Sequence, residues 1–171
     1  MSYRPAAQAG ELVVTDAVIF DMDGTLCDVS SIEHFVEGEN RNFDAFHGAA
    51  IDCPPHLHVV EAVTQAREAG NAIVIVTARS AKWRDYTIMW LDKYDIGFDH
   101  LYMRIEADFR PDYVVKADIL KAIKKDGFEP TRAWDDNPKV IALWRENGID
   151  VTEVRAGVPI RTDGEAGFND F

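Results

Sequence analysis

The stretch VIFDMDGTLCD, residues 18–28, sets two aspartates one residue apart at the end of an apolar run. A short, continuous run of this kind, halted by small polar residues, suits a strand buried on both faces of a parallel sheet. AIVIV at 72–76 has the same form and stops at Thr77. Between them, HLHVVEAVTQAREAG places Val60 and Val63 at helical spacing and ends at Gly70, a left-handed cap candidate, which makes it a crossover helix.

The alternation continues downstream. A helix is expected over about 81–94, a short strand at 101–103, and a helix over about 112–126 with Val115, Ile119 and Ile123 on one face. TRAWDD reads as a further strand. NPKVIALWRENG reads as a helix with Asn137 at the N-cap, Pro138 in first position and Gly148 just past the end, and IDVTEV as the last strand. Strands alternating with helices predict an α/β fold, a doubly wound and mostly parallel sheet covered on both faces. Residues 28–55 interrupt the pattern and are expected to form a small cap after the first strand. Residues 1–14 and 157–171 carry little periodicity and are expected to be loosely held ends of a single domain spanning 1–171.

At 171 residues, 47% apolar and 28% charged, the composition is that of a globular protein with a sizeable core. No apolar run reaches the roughly 20 residues that span a bilayer, and MSYRPAAQAGE lacks the apolar region of a signal peptide, so a cytoplasmic protein without a membrane partner is expected. Cys27 and Cys53 have neither metal-type nor redox-type spacing and read as structural thiols. The net charge of −12 argues against an extended grip on nucleic acid, which depends on Lys and Arg neutralising phosphates. A local basic group or a metal would still hold one phosphate.

In open α/β sheets, ligands bind beyond the carboxyl ends of the strands. The suggestive residues fall there: Asp21 and Asp23 after strand one, Thr77 and Arg79 after strand two, Lys116 early in the 112–126 helix, Asp135 and Asp136 after strand four. Clustered carboxylates call for a cation, and oxygen donors select a hard one such as Mg²⁺. Lys, Arg and a Thr hydroxyl beside it suit a phosphoryl group, and a carboxylate free to attack makes an aspartyl-phosphate feasible. Each residue also has an ordinary reading. Asp-x-Asp-Gly is a common turn, Asp136 can share the capping of the next helix, and a lone helical Lys is usually solvated. The ordered combination carries the argument.

That combination, DMDGT, VTAR, a helical Lys and WDD, resembles the haloacid dehalogenase superfamily across roughly residues 15–155. The resemblance implies Asp21 as nucleophile and metal ligand, and Asp23 as general acid/base with its carbonyl on the metal. It further implies Thr77 on the phosphate, Lys116 neutralising it, and Asp135 with Asp136 holding Mg²⁺, while Gly24 makes the turn and Thr25 braces the loop. Response-regulator receiver domains use a similar pocket, but their acidic pair comes first and their Lys last, the reverse of the order here.

MRIEADFRPDYVVKADIL at 103–120, followed by AWDDNPKVIALWRENGIDV, looks like the 3′-phosphatase domain of phage-type polynucleotide kinase-phosphatases. On that match Asp112 is a further active-site acid one helical turn before Lys116, placed to pair with it. Arg79 is expected on substrate phosphate, with Arg110 and Asp108 in support. The implied substrate is a 3′-phosphorylated nucleic-acid end or a nucleotide. No Gly-x-x-x-x-Gly-Lys-[Ser/Thr] loop occurs, so a kinase or ligase would be a separate partner. CDVSSIEHF after the turn has no Arg or Lys before Arg41, where the family has a basic residue, which keeps a nucleotidase or small-molecule phosphatase as the alternative. A non-catalytic module that binds phosphorylated ligands is a third reading. Trp83, Tyr86 and Trp90 recur at helical spacing beside Lys82 and Arg84, a pattern of core packing or of base stacking. His34, His47, His56 and His58 have no metal spacing and read as structural or surface residues.

Overall fold

The computed structural model describes residues 13–155 and 158–162. Five parallel strands form the body of one sheet: β1 (Thr15–Phe20), β2 (Ala72–Ser80), β3 (His100–Arg104), β4 (Phe128–Asp135) and β5 (Asp150–Arg155). The order is β3-β2-β1-β4-β5, closed by an antiparallel sixth strand, β6 (Val158–Thr162), beyond the last strand expected. Of the ends expected to be loosely held, only 13–14 and 158–162 fall within the described residues.

The helices are α1 (Phe43–Ala50), α2 (Leu57–Glu68), α3 (Arg84–Lys93), α4 (Asp112–Lys125) and α5 (Pro138–Glu146). Alternation along each strand feeds two cores. Val18, Phe20, Ile73 and Ile75 face Val59, Val63, Trp90 and Leu91 on α2 and α3. Ala17, Ile19, Val74 and Val76 face Val115, Ile119 and Ile123 on α4 and Val140 and Trp144 on α5. Burial on both faces is why the strands read as unbroken apolar runs. On α2 the buried residues are Val59, Ala62 and Val63, so the stripe is turned by one residue from the Val60–Val63 face expected. The α5 cap forms as read, with Asn137 Oδ1 accepting from the Lys139 N–H at 3.0 Å.

The segment between β1 and α2 is a small cap. It contains a 3₁₀ turn at Glu33–Phe35 and the two-turn helix α1, whose Phe46 and Ala50 join the α2/α3 core. Trp90, fully buried, fastens the cap from below by donating Nε1–H to the Cys53 carbonyl at 2.8 Å. Cys27 and Cys53 are both free and buried.

Candidate active site

β1 lies between β2 and β4, so its carboxyl end meets theirs. The chain then turns sharply: the Gly24 N–H donates to Cys27 O, and Thr25 and Cys27 N–H groups both donate to Met22 O. Gly24 has φ of +82°, and a Cβ placed there would overlap the Asp136 carboxylate. The glycine thus serves both the left-handed backbone and the close approach of loop to acid.

The result is three carboxylates, Asp21, Asp135 and Asp136, each offering an oxygen within 4.8 Å of the others. Lys116 reaches in from α4, buried to 2% exposure, and donates to Asp21 Oδ1 at 2.8 Å and Asp135 Oδ2 at 2.9 Å. Asp135 also accepts from Trp144 Nε1 at 3.3 Å and from the Asn137 N–H at 3.0 Å. The Thr25 hydroxyl lies 3.1 Å from Asp21 Oδ2 and 3.2 Å from Asp136 Oδ1, and His56 Nδ1 is 2.7 Å from the Thr25 carbonyl. One ammonium among three carboxylates leaves an excess of negative charge. Burial raises the Asp21 carboxyl well above its ordinary range, Lys116 opposing and Asp135 reinforcing it. Burial and the Asp135 charge push Asp136 up to about 6. A hard divalent cation held by oxygen donors is the group that would balance this set, and the residues present fit Mg²⁺.

Asp23 is set apart from the cluster. Arg79, 3% exposed, clamps it through Nε to Oδ2 at 2.9 Å and through Nη2 to Oδ1, while its Nη1 donates to Thr87. Burial works to raise Asp23, but the guanidinium outweighs it and holds the carboxyl below its ordinary range. Thr77 is buried, and its hydroxyl accepts from the Arg79 N–H at 3.1 Å, fixing the base of that clamp.

One expected pairing differs. Asp112 does not pair with Lys116, which lies between Asp21 and Asp135 instead; its carboxylate takes a bond of 2.6 Å from Arg104 Nη2. Arg110 is half exposed and pairs with Asp108 and Asp118, so it faces along the rim. The aromatic stripe also divides. Trp90 is core, Tyr86 is 47% exposed, and Trp83 sits beside His47 with ring centroids 6.1 Å apart. His47, read as structural or surface, stands on α1 with Nδ1 3.9 Å from Asp23 Oδ2. Nothing in its spacing signalled this, because the cap brings it in from an element without periodicity. Trp144 carried no role of its own in the sequence, and its bond to Asp135 is a product of helix docking.

The sheet order, the strand-end carboxylates and the buried lysine fit the phosphatase of the haloacid dehalogenase class that the sequence resembles, and the comparisons with known proteins bear out that class. The model for the polynucleotide kinase PNKP phosphatase domain matches residues 15–158, and the chain belongs to that family. A protein of Autographa californica nuclear polyhedrosis virus, whose assigned name is bifunctional polynucleotide kinase/RNA ligase, is 26% identical over 132 residues, covering 76% of this chain and 18% of its own. A chain of the Pnkp1/Rnl/Hen1 RNA repair complex superposes with a TM-score of 0.72 at 25% identity, over 84% of this chain and 43% of that one. The class C acid phosphatase of Bacillus anthracis shares the fold, with a TM-score of 0.58 at 14% identity over 77% of this chain and 55% of that one. The chain therefore spans less than half of the baculovirus protein and of the repair-complex chain. Among the described residues, no helix is long and apolar enough to cross a membrane.

Proposed function

We propose that this chain is a Mg²⁺-dependent phosphomonoester hydrolase that works through an aspartyl-phosphate on Asp21 and removes 3′-phosphate from nucleic-acid ends or nucleotides. The observation that carries this reading is the buried Lys116 bridging Asp21 and Asp135 inside a three-carboxylate cluster. Mg²⁺, held by Asp21, Asp135, Asp136 and the Asp23 carbonyl, would neutralise the phosphoryl oxygens. Asp21 attacks phosphorus, Lys116 keeps its carboxylate aligned, and the P–O bond to the leaving group breaks as that oxygen takes a proton from Asp23. Asp23 then removes a proton from the water that splits the acyl phosphate, returning Asp21 and inorganic phosphate. The Arg79 clamp favours the ionised, base form of Asp23, and an incoming phosphate dianion shifts it toward the protonated form. Thr77, Thr25, Arg110 and Asp112 belong to this reading as supports of the phosphate loop and the substrate rim. The match to a polynucleotide kinase phosphatase domain supports a nucleic-acid substrate, and the likeness to a chain of the Pnkp1/Rnl/Hen1 repair complex supports a kinase or ligase partner; the 3′ position and a cytoplasmic setting are parts of the same proposal.

A mononucleotide substrate is favoured by one observation, the net charge of −12. Phosphate release should be measured with and without Mg²⁺ from oligonucleotides carrying a 3′- or a 5′-phosphate and from nucleoside 3′-monophosphates. The expected result is Mg²⁺-dependent release favouring 3′-phosphates, lost by at least about a thousandfold in Asp21→Asn because the covalent route is removed. Full turnover by Asp21→Asn would overturn the mechanism, and equal hydrolysis of sugar phosphates would overturn the substrate.

A further inference from the structure

Asp23 has Arg79 on one side and the cap on the other. From the cap side a row of rings leads outward. His47 lies 3.9 Å from Asp23 Oδ2, beyond hydrogen-bond reach, and is followed by Trp83 at 6.1 Å between centroids and Tyr86 at a further 5.5 Å. Phe43 flanks His47 at 6.5 Å. Tyr86 and Phe43 are 47% and 54% exposed, so the row begins at the catalytic acid and ends in solvent. Lys82 Nζ stands 5.4 Å from the Trp83 ring centre.

Among the described residues, the buried side-chain polar atoms that lack a hydrogen-bond partner are His47 Nδ1 and Trp83 Nε1. Buried polar groups are nearly always paired, and a tryptophan Nε1–H can only donate. Two such nitrogens, on adjacent rings contributed by different elements, call for a guest that bears acceptor oxygens. Their position says which part of a substrate it is. Lys116 and Thr25 surround Asp21, the attacking group, whereas His47 stands against Asp23, the group that serves the departing oxygen. The row therefore adjoins the leaving group.

Resting on the phosphatase reading above, we propose that His47, Trp83, Phe43, Tyr86 and Lys82 form the subsite for the departing nucleoside. The two ring nitrogens hydrogen-bond to oxygens of its sugar, the half-exposed rings stack its base, and Lys82 serves a neighbouring phosphate. Stacking and neutral donors hold a nucleoside without a cationic groove, which suits a chain with net charge −12. Access follows from the seam between cap and body. The Lys82–Asp44 pair that crosses it, 2.6 Å long and partly solvated, is of a weak kind and adds little to what holds α1 in place.

The test compares a nucleoside 3′-monophosphate with acetyl phosphate, which reports attack by Asp21 but offers no nucleoside. Trp83→Phe, which keeps a ring and removes the donor, and His47→Leu should each lower the nucleotide-to-acetyl-phosphate ratio of kcat/KM about tenfold, mainly through KM. His47→Asn, which returns a donor near the Nδ1 position, should recover most of that loss. The Kd of the same nucleotide for Asp21→Asn protein should weaken by a similar factor when Trp83→Phe is added. An unchanged ratio in both variants, or an equal fall for the two substrates, overturns the subsite while leaving the phosphatase standing. Turnover of acetyl phosphate with no hydrolysis or binding of any nucleotide overturns the subsite and the 3′-substrate together.

Discussion

Asp21 and Asp23 stand two residues apart, each holds a cation, and their carboxyls are shifted in opposite directions. Asp21 shares Lys116 with Asp135 and lies beside Asp136, so burial and like charge prevail and its proton affinity rises. Asp23 has the Arg79 fork to itself, and its proton affinity falls. The difference sets a pH dependence. For Asp136, unfolded near 3.8 and folded at about 6, the folded state favours the proton. Its contribution to stability is therefore present below pH 4 and lost as pH rises through 6, with Asp21 acting in the same sense. Asp23 acts in the opposite sense, stabilising above its unfolded value and losing that as pH falls. Mg²⁺ needs the ionised forms, so the rise in Tm on adding Mg²⁺ should be small at pH 5 and grow through pH 6 to 7. Each tenfold gain in affinity is worth about 1.4 kcal/mol, a few degrees of Tm at this size. Differential scanning calorimetry over pH 5–8 checks it, and a Mg²⁺ shift that is flat with pH would contradict the tuning. The acids themselves were legible because the β1 and β4 runs stop on them. Their partners were not. The sequence places Asp112 one turn from Lys116, yet that turn faces Arg104, and only the docking of α4 on the sheet decides which carboxylates a lysine meets.

At the scale of elements, what read clearly was whatever is buried on two sides or repeats with a fixed period. β1, β2, α4 and α5 follow from unbroken apolar runs, four-residue spacing and the Asn137–Pro138 start. The cap was legible as a break in the pattern at 28–55, but its helix was not, because α1 is only eight residues long and owes its position to Phe46 and Ala50 reaching a core made by distant elements. The shortest buried side-chain hydrogen bond that holds the cap comes from Trp90 of α3. Trp90→Phe keeps the ring volume roughly but deletes the bond to Cys53 O, at an expected cost of about 1 kcal/mol. The loss should appear first as local opening, since α1 adds little other cover. Limited proteolysis should therefore cut faster within 28–55 in the variant while the remaining helices keep their protection. Uniform acceleration across the chain would instead mean that the cap and the body unfold as one unit.

For the molecule as a whole, charge and architecture make separate demands. A net charge of −12 opposes a polyanion at long range, while one buried lysine and a metal-fitting acid cluster serve a single phosphate. Binding of a 3′-phosphorylated oligonucleotide should accordingly depend weakly on salt. The slope of log KM against log salt should stay near or below about 0.7, the value for one contacted phosphate on a single strand. A steep slope would reveal a backbone groove that the described surface does not suggest. The placement of β1 between β2 and β4 has another consequence, one of timing. On the ribosome, Thr25 emerges 111 residues before Asp136, with β2 and β3 made in between. The early acids can take their final company only after a long loop closes, which is a slow and costly contact to form. A nascent chain released before strand four thus carries the motif without a site, and premature termination yields a fragment that is inert from birth.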